Sequence, residues 1–179
     1  LIRTTENLLS ITKFNSRGVV IKKIPEVVEE ITGCAVVKFH KAHPDMPVFV
    51  DKPDGILFAD MDATLIEQVL LNLFENVVYH ADGATGIVLK VERVGDRTWI
   101  RVCDDGCGIP PAVMPHLFDG KLTANDDRGP DACRSMGIGL SVCYSIIKAH
   151  GGDMCASNEN DGGAVVSFWL PNGGEEIEY

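Results

Sequence analysis

The stretch from Ala63 to Ala81 constrains this chain more than any other segment. Ile66, Val69, Leu70, Leu73 and Val77 recur at the spacing of a helix with one buried face. Asp62 stands where an N-cap belongs, and Thr64 with Glu67 offers an alternative capping box. Beside the apolar face, Gln68, Asn72, Asn76 and His80 fall one turn apart and line a second stripe. Such a stripe reads as an ordinary solvated face, or as something more specific. A solvated face is normally charged, and asparagine is a poor helix former. Two amides at the edge of a core would also serve as oxygen ligands aimed inward. An amide oxygen suits a hard cation such as Mg²⁺, which takes its other ligands from water and phosphate.

Around this helix the chain alternates strands and helices without regular βαβ order. Leu1 to Phe14 puts Leu1, Leu8, Ile11 and Phe14 near one stripe with no start signal, as in the end of a longer helix. A β-branched run from Val19 to Ile24 precedes Pro25, and a helix through Val27, Val28 and Ile31 is expected to end at Gly33. Cys34–Phe39, Pro47–Val50 and Ile56–Ala59 read as strands, the last two separated by the turn Lys52-Pro53-Asp54-Gly55. Gly86–Val94 and Arg97–Asp104 alternate as a hairpin about Gly95-Asp96. Gly106 to Met136 is a long Gly-, Pro- and Asp-rich loop of the functional or mobile kind. A helix from Gly139 to His150, strands near Met154–Ser157 and Ala164–Leu170, and an acidic tail complete the chain. The pattern predicts an α+β sandwich with a largely antiparallel sheet.

At 179 residues the chain suits one domain with a short appendage, and 45% hydrophobic residues suffice for its core. A net charge of −10 argues against a broadly basic surface for nucleic acid or anionic lipid. Cys34, Cys103, Cys107, Cys133, Cys143 and Cys155 are scattered without zinc spacing and read as reduced thiols. No apolar run approaches the roughly 20 residues of a membrane span, and no signal peptide is visible.

Two further constellations bear on chemistry. Asp104-Asp105-Gly106-Cys107-Gly108-Ile109-Pro110 follows a strand directly. A carboxylate there can accept from an exocyclic amine, and glycines let the backbone pass close to a flat ring. An Asp-Gly turn between strands is the plainer reading. Gly137-Ile138-Gly139-Leu140 opens the last helix, where exposed amides and the dipole would favour phosphate. It is not a dinucleotide fingerprint, because a long loop and no strand precedes it.

An asparagine-bearing helix, Asp-x-Gly-x-Gly about thirty residues on, and Gly-x-Gly-Leu after a loop occur here in that order. Together they resemble the ATPase superfamily shared by histidine kinases, gyrase and MutL, and within it the sensor histidine kinases of the potassium-sensing type. The likeness implies a two-layer α+β sandwich of Bergerat type, a mixed, mostly antiparallel sheet covered on one face by three helices. It divides the chain into the end of a dimerisation helix with its linker (1–17), an ATP-binding catalytic domain (18–171, with an ATP lid at about 110–136) and an acidic tail (172–179). The implied reaction is transfer of the γ-phosphoryl group of Mg-ATP to a histidine upstream of Leu1.

The resemblance also implies residue roles. Asn76 and Asn72 would hold Mg²⁺ near the phosphates, and Asp104 would read the adenine amino group. Gly106, Gly108 and Ile109 would shape the adenine pocket; Phe118 would belong to the F box after Leu117. Gly137, Ile138, Gly139 and Leu140 would close over the phosphates. Gyrase-like members place a glutamate base where Asn72 stands, so its absence favours an external acceptor over water. Tyr79 and His80 replace a common lysine and aromatic and are expected beside the nucleotide. Lys121 and Arg134, with Arg128 behind them, are the candidate γ-phosphate cations, and with Asn72 the candidate catalytic residues. Ser135 replaces a frequent third glycine.

None of His40, His43, His116 or His150 sits in the family's acceptor motif, and His150 reads as structural at a helix end. Implied partners are the missing histidine-bearing dimerisation domain and a downstream response regulator, with no nucleic acid. The parent would be a membrane-anchored homodimer with this domain in the cytoplasm. An anti-sigma-factor-type serine kinase and a degenerate nucleotide-binding or partner module are the alternatives.

Overall fold

The computed structural model describes residues 21–119, 130–160 and 162–172, without the side chains of residues 130–138. The expected helix at Leu1–Phe14, Lys121, Arg128 and the acidic tail from residue 173 lie outside the described residues.

Among the described residues, two sheets and three α-helices make up the domain. β1 (Ile24–Val27) pairs antiparallel with β3 (Phe58–Met61) as a separate ribbon. The main sheet runs in the order β2 (Val48–Asp51), β4 (Ile87–Val94), β5 (Arg97–Asp104), β7 (Ala164–Pro171), β6 (Asp153–Asn158). Only β2–β4 is parallel; the other three pairs are antiparallel, giving the expected mixed sheet. Helices α1 (Val28–Ala42), α2 (Ala63–His80) and α3 (Pro130–Ala149) form the second layer. Alternation along β4, β5 and β7 sends Ile87, Leu89, Ile100, Val102, Phe168 and Leu170 into the core between the layers. From α2, Ile66, Val69, Leu70, Leu73 and Phe74 meet them, and Phe74 lies 5.3 Å from Phe39 of α1 between ring centroids.

Four boundaries differ from the sequence reading. Cys34–Phe39 is not a strand, because α1 runs through Gly33 to Ala42. Its buried residues Val28, Thr32, Ala35 and Phe39 keep the helical period, which outweighs the cost of about 1 kcal/mol for an exposed glycine. The first strand is Ile24–Val27 with Pro25 inside it, tolerated because β1 is an edge strand. β3 begins two residues later than expected, at Phe58. The last helix begins at Pro130, where its missing N–H is no loss, so Gly137 and Gly139 lie inside the helix rather than at its opening.

Asp62 caps α2 as expected, its Oδ1 accepting from the Leu65 N–H at 3.2 Å. The same residue is tied to α3 through His150, which is fully buried. The His150 Nδ1–H donates to the Ile146 carbonyl (2.7 Å), and Nε2 accepts from the Asp62 N–H (3.0 Å). These partners fix a neutral ring in one tautomer. Burial chiefly, with Lys23, holds its pKa below the usual histidine value, against the Ile146 bond and Asp62.

Candidate nucleotide site

A cavity of about 450 Å³ opens between α2, the end of β5, the segment after it, and β7. One wall is the stripe of α2: Leu73, Asn76, Val77, Tyr79 and His80 all line it. Facing them are Val102 and Asp104 of β5 and then Gly108, Ile109 and Pro110. Ala164 and Val166 of β7 and Leu140 of α3 complete its apolar interior. The shape is a mostly apolar slot with a few fixed polar groups, the form of a small-molecule site.

Asp104 is the anchored acceptor of this slot. Its Oδ1 accepts from the Gly106 N–H (2.9 Å) and the Ala164 N–H (3.3 Å). Burial raises its pKa, reinforced by Asp105 and opposed by those two backbone bonds. The approach that makes this possible depends on Gly163. At φ +87° it brings its backbone so near that a Cβ would lie 2.0 Å from the Asp104 carbonyl oxygen. Gly106 is confined too, less severely, since a Cβ there would lie 2.9 Å from the Cβ of Ala81 at the end of α2.

Asp105 points elsewhere. Its carboxylate accepts from the Thr85 N–H (2.7 Å) and the Thr85 hydroxyl, fastening residues 81–86 to the end of β5. Those hydroxyl and backbone bonds hold its pKa below the usual carboxylate value. The His80 pKa is lowered as well, but by burial, which outweighs the opposing effect of Asp82, so the ring at the cavity wall is neutral near pH 7.

The two asparagines of α2 separate in role. Asn76 faces the cavity, and its Nδ2 is buried with no hydrogen-bond partner among the described residues. A buried polar side chain left open beside a cavity is suited to a ligand. Asn72 does not line the cavity. Its Nδ2 donates to the Gly139 carbonyl (3.1 Å), and a Cβ on Gly139 would lie 2.7 Å from its Oδ1. Gly139 is thus small because α3 crosses α2 at Asn72, not because it bares a helix end. Phe118 also stays outside the slot, stacked on Tyr144 of α3 at 5.5 Å. Tyr79 lines the rim, half exposed, edge-on to His43 at 6.1 Å. Gly137, Ile138, Arg134 and Ser135 fall within α3, their side chains outside the described set.

Two residues that shape the slot escaped the sequence reading. Asn158, at the end of β6, exchanges two hydrogen bonds with the backbone of Ile109, and Gly163 lies beneath Asp104. The Gly162-Gly163 pair just before the last strand was the available signal for the second.

A slot with a tethered aspartate, a glycine-rich wall and an inward asparagine has the form of a nucleotide site, and the family match names its class: an ATPase domain. The chain belongs to the histidine kinase-, DNA gyrase B- and HSP90-like ATPase family, whose pattern its residues 61–174 match, and it carries that family's ATP-binding domain. Sensor kinases are among its relatives: the sensor protein KdpD of Clostridium acetobutylicum is 37% identical over 96% of this chain, and that of Escherichia coli 31% over 94%. The chain spans about a fifth of their lengths, 19% and 18%. The fold also matches the catalytic domain of histidine kinase ThkA (TM-score 0.70, 23% identity, 84% of this chain and 95% of that one). Full-length ShkA with AMPPNP gives TM-score 0.77 at 20% identity, over 94% of this chain and 35% of that one. ThkA in complex with the response regulator TrrA gives 0.75 at 20%, over 96% and 48%.

Proposed function

We propose that this chain is the catalytic domain of a sensor histidine kinase, binding Mg-ATP in the slot and passing its γ-phosphoryl group to a histidine of the parent protein outside this chain. The observation that carries the reading is Asp104, held by two backbone N–H groups at the floor of an apolar slot, with Asn76 opposite. The adenine amino group donates to the carboxylate oxygen that faces the slot. Ile109, Leu140 and Val166 sandwich the ring and exclude water. His80, neutral, adds no repulsion to a base and no attraction to phosphate.

The donor set fits Mg²⁺. One inward amide leaves most of the coordination sphere to phosphate and water, as Mg²⁺ prefers. Asn76 would hold the ion through its amide oxygen, and the ion would neutralise phosphate charge as transfer proceeds. Asn72 sets the height of α3 at Gly139 and, being an amide, cannot take a proton from water. Lys121 and Arg134 are assigned to the γ-phosphate. In the transfer, the bond from phosphorus to the β,γ-bridging oxygen breaks, a bond from phosphorus to the acceptor imidazole nitrogen forms, and ADP leaves.

The parent is proposed to be a membrane-anchored homodimer working with a response regulator, with residues 1–17 leading from its dimerisation helix. The experiment mixes this chain, Mg²⁺ and labelled ATP with a separately produced upstream segment of the parent. Acid-labile, base-stable label on that segment is the expected result. Acid-stable label, as on serine, or no ATP binding at all, overturns the assignment.

A further inference from the structure

We propose that Asn158 is a positioning residue for the adenine end of the slot, acting through the backbone of Ile109; this rests on the nucleotide reading above. The Ile109 N–H donates to Asn158 Oδ1 at 2.8 Å, and Asn158 Nδ2 donates back to the Ile109 carbonyl at 2.8 Å. The two residues are 49 apart in sequence, so this ring of two bonds is a tertiary clamp. It replaces the strand ladder that the chain cannot form there, because Gly108 turns at φ +74° and Pro110 has no N–H to offer.

The clamp sets the wall that a base would touch. Ile109, 8% exposed, lines the slot with Gly108 and Pro110 on either side. A Cβ at Gly108 would lie 3.1 Å from Asn158 Oδ1 and 3.3 Å from the Gly163 carbonyl, so amide, turn and β7 entry lock into one another. Gly163 in turn precedes Ala164, whose N–H holds Asp104. The same short stretch of β6 and β7 therefore fixes both the apolar wall and the carboxylate.

An amide offers an acceptor and a donor in one plane at this reach, which an ionised carboxylate does not. Aspartate keeps the shape but turns its second oxygen against the Ile109 carbonyl. Alanine leaves a part-buried N–H and a carbonyl without partners.

The test compares wild type, Asn158→Ala and Asn158→Asp at 10 °C, each first checked for folding by circular dichroism, using calorimetry with adenosine, ADP and Mg-ADP. Expected is a loss of about ten- to a hundred-fold in affinity, equal for all three ligands, with the ratio of Mg-ADP to ADP affinity unchanged. Hydrogen exchange at the Ile109 amide should accelerate in both variants while the core of β5 stays protected. Wild-type affinity in a folded variant overturns the proposal, as does a loss confined to Mg-ADP. Failure of both variants to fold makes Asn158 a fold determinant and likewise overturns it. A wild type that binds no adenine ligand instead removes the nucleotide reading itself.

Discussion

Replacing Asp104 by asparagine separates what the carboxylate does for the fold from what it does for a ligand. Oδ1 is already committed to the Gly106 and Ala164 N–H groups, and an asparagine oxygen can accept both in its place. The remaining position, facing the slot, changes from an acceptor to an amide donor. A charge-assisted bond of about 1.5–3 kcal/mol is lost, and a donor is set against the adenine amine. At about 1.4 kcal/mol per tenfold, ADP affinity should fall by roughly 100-fold. Stability should move the other way. Burial raises the Asp104 pKa, so the folded chain holds that proton more tightly than the unfolded one, and the ionised carboxylate costs stability at neutral pH. The asparagine variant should therefore unfold at a temperature equal to or above wild type at pH 7.5, an advantage that shrinks as pH falls through the raised pKa. Alanine is the poorer probe, because it strands both N–H groups. Calorimetry with ADP and thermal melts of the same samples decide the matter. Affinity within threefold of wild type refutes the role of Asp104; loss of affinity with a matching loss of stability refutes the separation.

Other outcomes follow from the same geometry. Asn76→Ala should abolish the tightening of ADP binding by Mg²⁺ while leaving adenosine affinity within twofold, measured by titration with and without the ion. Gly163→Ala forces a Cβ against the Asp104 carbonyl at positive φ and should cost about 2–5 kcal/mol in urea unfolding, with nucleotide binding lost in parallel. Burial lowers the pKa of both His80 and His150, so the unfolded chain takes up their protons first. Their contribution is complete above the ordinary histidine value of about 6.5 and is lost as pH falls below it. Urea stability should thus drop between pH 7.5 and 5.5, and less so in a His80→Gln, His150→Gln double variant; a pH-independent wild type would contradict the neutral ring at His150.

The slot's main parts were legible because each is a local pattern. The period of α2 placed Asn76 and His80 one turn apart on a single stripe, and Asp104 at the end of β5 followed from strand alternation before a glycine turn. The boundaries that failed were those where local signals pointed away from the packing. Gly33 resembles a helix stop, yet Phe39 needs six more residues of helix to reach Phe74. Gly139 resembles a phosphate-binding helix opening, yet its size answers to Asn72 across the α2–α3 contact. Phe118 carries the expected motif but spends its ring on Tyr144.

Sequence alone determined the class of fold, the family and the polar stripe, since all three rest on residue types at short, regular spacing. The tertiary structure decided which amide faces the slot and which fastens helices, because that depends on how α3 lies across α2. It also assigned work to Asn158 and Gly163, residues 49 and 59 positions from the Ile109 and Asp104 backbones they serve. Contacts at that separation follow no period, so only the assembled sheet brings them together.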